Sequence, residues 1–320
     1  MSGFPQLAAY RGGAGVVRVV GHRGARGVMP ENTLEGFRFT MDIGVEALEF
    51  DVVLSADGIP VITHNHALSR AAVREPGGGW ISGEEPEVGK LPLEILQTYD
   101  AGGLDSRSEY GRRYPDQAFL SGVRIPRLAD LLDLVCEPAY QGVSLLLELK
   151  TNPQDADIPA ARIRQVAAVV AEVRARDLSG RTVLHSFDWL LLDECRRQAP
   201  EMPTSYLSQV AGAGDTGEEG APTGAELHAS GLTLPAAVAQ AGGQMWCPYY
   251  ADVTAELVAE AHALGLPVTV WTVNERADIE AMIEAGADGI VTDYPGRVQR
   301  ILLERGLNWR SAEGDAAHAG

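Results

Sequence analysis

Short runs of β-branched and aliphatic residues alternate with stretches of helical spacing along almost all of this 320-residue chain. That rhythm constrains the fold more than any other feature, because parallel neighbouring strands need a long crossover between them, usually a helix. Strand-like runs that precede a helical stretch lie near residues 18, 48, 146, 184, 206, 246, 270 and 290. Eight such units predict an α/β fold, a closed parallel (β/α)8 barrel. The rival is an open doubly wound sheet, but the first run, 16–21, is not followed by a Gly-x-Gly-x-x-Gly turn. The other strands are expected at 45–54, 143–150, 182–187, 204–208, 245–248, 267–273 and 289–292, with 59–63 as a hairpin partner of the second. Helices are expected over 33–43, 128–135, 163–175, 189–197, 255–264, 277–284 and 296–304.

Between 67 and 122 the rhythm breaks. Gly77-Gly78-Gly79, Pro86 and Gly102-Gly103 suggest loops with short helices, and the stretch is too long for a structureless loop in a compact domain. It is expected to be a small inserted subdomain after the second strand. The chain then divides into an N-terminal arm (1–16), a barrel domain (17–305) and a tail (306–320). On composition, 211–224 reads as a mobile acidic loop and 312–320 as disordered.

The net charge of −18 repels nucleic acid and anionic membranes, so neither is an expected partner. An anionic small molecule would need local cations to reverse the field. Cys136, Cys195 and Cys247 have no CxxC spacing and are odd in number, which reads as free buried thiols in a reducing compartment. No secretory signal is legible, and no apolar run approaches the ~20 residues of a bilayer span. A cytoplasmic location without membrane insertion is expected.

The chemistry concentrates in 19–70. In the second strand Ala47, Glu49 and Asp51 share one face, while Leu48, Phe50 and Val52 share an apolar face suited to packing on helices. In the third, Leu146, Glu148 and Lys150 share a face opposite three leucines. Active sites of such barrels lie at the C-terminal strand ends, and adjacent strands are ~4.8 Å apart. Glu49, Asp51 and Glu148 can therefore converge on one ion. Three buried carboxylates without compensation are costly, and a hard divalent cation with oxygen ligands relieves them. Arg23 and Lys150 add positive charge. A metal-free arrangement, with the carboxylates ion-paired to those two residues, is the alternative.

Gly21-His22-Arg23-Gly24, Pro30-Glu31-Asn32-Thr33, Glu49-Phe50-Asp51, Asp57-Gly58, His64, Leu68-Ser69-Arg70, Glu148-Leu149-Lys150, Val270-Trp271-Thr272-Val273-Asn274 and the ending from Gly286 to Pro295 occur in order over 17–303. Together they resemble the glycerophosphodiester phosphodiesterase family. The resemblance implies a TIM barrel with a small insertion after the second strand and a glycerophosphodiester as small-molecule substrate. It implies His22 and His64 as the acid/base pair, and Glu49, Asp51 and Glu148 as ligands of one divalent cation, Mg²⁺ or Ca²⁺. Arg23 and Lys150 correspond to phosphate contacts and Trp271 to a wall beside the glycerol. One departure concerns Asn65, where the family usually has aspartate after the second histidine.

The expected reaction is metal-dependent hydrolysis to an alcohol and glycerol 3-phosphate. The nucleophile, water or the substrate's neighbouring hydroxyl, stays open, as does the histidine that acts first as base. Phospholipase D-like action on lysophospholipids and a non-catalytic phosphate-binding barrel are the competing functions. His66 reads as an exposed loop residue, His185 as either core or site lining, and Asp293 as a turn residue rather than a ligand. Asn32 is close enough to bind metal or phosphate. The sequence does not indicate an oligomeric state.

Overall fold

The computed structural model describes residues 3–210 and 231–310. Eight strands run parallel around a nearly closed barrel: β1 (Arg18–His22), β2 (Ala47–Leu54), β4 (Ser144–Leu149), β5 (Thr182–Ser186), β6 (Thr204–Ser208), β7 (Met245–Pro248), β8 (Thr269–Val270) and β9 (Gly289–Thr292). β3 (Pro60–Ile62) is the antiparallel hairpin partner of β2. Paired neighbours run β7-β6-β5-β4-β2-β1-β9-β8. Parallel bridges Trp246 to Val268 and Tyr249 to Trp271 join the remaining seam. The expected strand at 267–273 is thus mostly isolated bridging, with two residues of regular ladder in β8.

The outer layer is α1 (Leu34–Asp42), α4 (Leu128–Val135), α5 (Ile158–Ala175), α6 (Trp189–Gln198), α7 (Leu234–Gln240), α8 (Ala255–Ala263), α9 (Arg276–Glu284) and α10 (Pro295–Glu304). Thr33 starts α1 by accepting from the Gly36 amide, and Asp188 starts α6 by accepting from Leu190 and Leu191. α7, which the sequence reading omitted, starts on Thr233 with Pro235 in its first turn. Strand residues such as Leu48, Phe50, Leu145, Leu147 and Leu149 pack outward on the helices in the main core.

The barrel interior is a separate apolar layer of Val20, Ala47, Leu146, Val183, Leu207, Met245, Cys247 and Val291. Leu7 and Tyr10, from the short helix Pro5–Tyr10, belong to the same layer. Much of the expected arm therefore packs into the barrel's base. Trp309 and Arg310, in the expected tail, both donate to the Gly44 carbonyl.

Residues 63–127 contain α2 (Leu93–Leu96) and α3 (Glu109–Arg113). Their apolar cluster of Leu68, Val73, Ile81, Val88, Leu96 and Ile125 is shared with Val53 and Val61 of the β2–β3 hairpin. Cys195 and Cys247 are buried, but Cys136 is exposed, against the expectation of three buried thiols. No helix of the described residues is long and apolar enough to cross a membrane. The expected acidic loop and disordered tail end lie outside the described residues.

Candidate active site

A charged layer caps the apolar interior at the C-terminal strand ends. In register, His22 lies beside Glu49, and Asp51 beside Glu148, which in turn lies beside His185. Glu49, Asp51 and Glu148 are buried, and one oxygen of each lies within 4.8 Å of the others.

Their environments differ. Burial, together with Asp51 and Glu148 beside it, pushes the Glu49 carboxyl well above its ordinary range. Burial also opposes ionisation of Asp51, but Lys150, Arg23, His64 and Asn32 overcome it and hold that carboxyl well down. Lys150 Nζ lies 2.8 Å from Glu148 and 3.2 Å from Asp51. The Asn32 amide donates to Asp51 Oδ2 at 2.8 Å, so it orients a carboxylate of the cluster. The pairing with lysine and arginine holds Asp51 as an anion, while Glu49 is held toward its neutral form. Glu49 is raised because three acids crowd one buried place, and an oxygen-only donor set so arranged fits a hard divalent cation.

The turn after β1 delivers Arg23. A Cβ at Gly21 would stand 2.3 Å from the Gly24 carbonyl oxygen, and one at Gly24 would stand 3.0 Å from the Gly36 backbone. Glycine at both ends therefore lets the chain fold back on α1, and Arg23 itself takes a left-handed φ of 51°. Its backbone amide donates to Glu49 Oε2 at 3.1 Å, and its guanidinium reaches Glu31 at 3.0 Å and Asp51 at 3.2 Å.

His22 is held by Asp293. Nδ1 lies 2.6 Å from Asp293 Oδ1, while Nε2 faces Glu49 at 3.8 Å. Burial and Arg26 lower the imidazole to about 4, despite the opposing pull of Asp293. Asp293 is itself kept far below the usual carboxylate range, because Arg26 and His22 outweigh its burial. An ionised carboxylate can only accept, which assigns the proton of neutral His22 to Nδ1 and leaves the Nε2 lone pair toward the carboxylates. Asp293 also accepts from Arg26, and from Asn274 Nδ2 at 2.7 Å.

His64 follows β3, near enough to Asp51 and Glu31 to help hold both carboxyls down. Its Nδ1 is 2.7 Å from Asn65 Oδ1. Trp271 lies at the mouth, 8% exposed, against Phe187 and Tyr249, with its indole N–H on the Cys247 carbonyl. Its neighbour Thr272 reaches His22 Nδ1 at 3.5 Å.

The structure thus gathers His22, Arg23, Glu49, Asp51, Glu148 and Lys150 into one network, sets His64 beside it and seats Trp271 on the rim. Two sequence readings need correction, those of Asp293 and His66, while His185 stays within the alternatives expected for it. Asp293 is more than a turn residue: it is fully buried and orients His22. His66 is half-buried, and its imidazole is lowered by burial and Lys150. His185 is 2% exposed, held by Ser205 at 2.9 Å, on the strand position beside Glu148. Arg26, Tyr110 and Tyr114 were not singled out as site residues, although the paired tyrosines one helical turn apart were a usable signal.

The model of the glycerophosphoryl diester phosphodiesterase family matches residues 22–297. A glycerophosphodiester phosphodiesterase of Caldanaerobacter subterraneus is 25% identical over 289 residues, covering 90% of this chain and 98% of that protein. A crystal structure from Silicibacter pomeroyi, provisionally assigned as a glycerophosphoryl diester phosphodiesterase, is 57% identical with a TM-score of 0.90. It covers 96% of this chain and is itself covered completely (100%). An Oleispira antarctica phosphodiesterase, solved with the product sn-glycerol-3-phosphate, shares the fold at 24% identity and a TM-score of 0.66, over 90% of this chain and 97% of that one.

Proposed function

The chain belongs to the glycerophosphoryl diester phosphodiesterase family, and with it to the phosphoric diester hydrolases; from that premise we propose that it hydrolyses glycerophosphodiesters to an alcohol and glycerol 3-phosphate. One divalent cation, Mg²⁺ or Ca²⁺, would be held by Glu49, Asp51 and Glu148. The observation that carries this reading is the convergence of those three carboxylates beside a histidine whose tautomer Asp293 assigns. When bound, the cation supplies Lewis-acid polarisation of the phosphate oxygens.

The chain's own residues do the rest. Arg23, braced by Glu31 and Asp51, presents its guanidinium to the non-bridging oxygens and reverses the local field against the net charge of −18. His22, neutral with its proton on Nδ1, takes a proton at Nε2 from the nucleophile, and Asp293 stabilises the imidazolium that forms. His64 returns a proton to the leaving alkoxide. The Asn65 oxygen at Nδ1 orients the His64 ring without adding charge. Lys150 spaces Asp51 and Glu148 while contributing positive charge at the same edge. With water as nucleophile these two transfers complete the reaction; with the substrate's own hydroxyl they release the alcohol and leave a cyclic phosphodiester, which water then opens to glycerol 3-phosphate with the two histidines in exchanged roles. Trp271 offers an aromatic wall for the glycerol carbons.

A water-soluble head group suits the mouth, because 67–122 contains no long apolar run. A cytoplasmic location belongs to the same reading and is supported by the free cysteines. The decisive assay incubates the protein with glycerophosphocholine, with and without Mg²⁺ or Ca²⁺, and measures glycerol 3-phosphate. Turnover that chelation abolishes and either ion restores is expected. Absence of turnover with both ions defeats the reading, and faster hydrolysis of lysophosphatidylcholine would redirect it to the lysophospholipid alternative.

A further inference from the structure

Around the reacting groups runs a chain of charged side chains, and one of its members comes from the segment between β3 and α4. Ser108 starts α3 by accepting from the Gly111 amide, and the turn that follows carries Tyr110 and Tyr114 on one side, ring centroids 5.4 Å apart. The Arg26 guanidinium lies 4.9 Å from the Tyr114 ring and 6.0 Å from that of Tyr110. Arg26 Nη1 donates to the Tyr110 hydroxyl at 3.1 Å, and that hydroxyl forms a short bond to Glu31 Oε2.

The bond directions admit one solution. Arginine only donates and a carboxylate only accepts, so the single hydroxyl proton of Tyr110 goes to Glu31. The other Glu31 oxygen takes Arg23 Nη1 at 3.0 Å. Arg26 meanwhile donates to Asp293 at 2.9 and 3.2 Å, and Asp293 holds His22. One phenolic hydroxyl therefore touches both the brace of the anion-binding arginine and the arginine that secures the support of His22. Glu31 stays charged there: burial opposes it, but Arg23, Arg26 and the Tyr110 bond bring its carboxyl below the ordinary range.

We propose that Tyr110 is a positioning residue for phosphodiester hydrolysis, holding Glu31 in the orientation that aims Arg23 at the phosphate. The inference rests on the phosphodiesterase reading above and deepens it, since it makes the segment after β3 part of the machinery. Asp293 contacts His22 without Tyr110 between them, so the hydroxyl bears more on anion binding than on proton transfer.

The test is Tyr110→Phe, which keeps the ring against Arg26 and removes the hydroxyl. With the Mg²⁺-loaded protein, KM for glycerophosphocholine is expected to rise about tenfold, while kcat changes by less than about threefold. Calorimetric affinity for inorganic phosphate should weaken by a similar factor, with an unchanged cooperative melt. Glu31→Gln should weaken phosphate similarly, and the double variant should be no worse than the weaker single. Unaltered KM and phosphate affinity in Tyr110→Phe overturn the inference. So does a fall in kcat alone that tracks a lost folded fraction, or strict additivity in the double variant. Wild-type protein without turnover would instead defeat the phosphodiesterase reading, and the phosphate-binding measurement would still decide the role of Tyr110.

Discussion

The barrel and the segment 63–127 are held together by different physics. In the barrel, both faces of the strands are apolar below the mouth: Leu48, Phe50, Leu145 and Leu147 meet the helices, while Val20, Leu146, Val183 and Val291 fill the interior. In the segment the apolar cluster is small and borrows Val53 and Val61 from the hairpin. Its polar centre is Arg74, 5% exposed, which donates to the Leu120 carbonyl at 2.6 Å and pairs with Asp100 at 2.8 Å. The same guanidinium stacks on Phe119, with Trp80 beyond. Dispersion and apolar burial are non-directional and spread over many atoms, whereas charge-assisted hydrogen bonds depend on a few positioned groups. The segment should therefore open as a unit at lower free energy than the barrel, and its directional bonds are the ones that run into the site.

Asp293→Asn probes the mouth most severely. Asparagine can present an N–H to His22 Nδ1 and reverse the tautomer, so kcat should fall on the order of a thousandfold, and the melting temperature should fall as well because buried Arg26 loses its counter-charge. A loss under tenfold would mean that the barrel scaffold alone orients His22. Leu147→Ala probes the barrel. The deleted side chain is fully buried, and a loss of about 2–5 kcal/mol should appear in the denaturation midpoint, with hydrogen exchange accelerated throughout the strands. A loss confined to one strand would contradict a shared apolar core.

Arg74→Met probes the segment and should have the smallest global effect. Methionine keeps the stem against the rings, but Asp100 and the Leu120 carbonyl lose their donor, for about 1–3 kcal/mol of local opening. Amides over 63–127 should exchange faster while β4 to β6 stay protected. Acid should produce the same pattern. Burial works against the Asp100 charge, but the Gly122 amide, Arg74 and the Gly102 amide lower its carboxyl in the folded protein. The folded state thus binds fewer protons than the unfolded chain. Stability from this group is complete above the ordinary aspartate value of 3.8 and is lost as pH falls through the lowered folded value. If the strands open before the segment at low pH, the contrast between the regions fails.

Some of this was local information. The period-2 alternation of Glu49 and Asp51 against Leu48 and Phe50 determined which side chains face the interior, because a strand offers only two faces. The helix expected over 128–135 is α4 with the same bounds. The carboxylate trio followed once parallel neighbours were assumed, since register then sets their approach. The sequence by itself thus determined the alternation, the faces and the trio of acids.

Tertiary structure decided the partners. His22 and Asp293 lie 271 residues apart and meet only because β9 closes onto β1. Tyr110 reaches Glu31 across 79 residues from a short helix beside which Tyr110 and Tyr114 contact Arg26 and Asp293. In sequence, Asp293 before Tyr294-Pro295 resembles any turn aspartate, and the segment 19–70 holds both histidines of the expected acid/base pair. Barrel closure buries that aspartate beside Arg26 and His22, and in a medium that screens poorly, proximity settles which charges are kept and which proton sits where. Such proximity is a property of the closed barrel and of no single stretch of the chain.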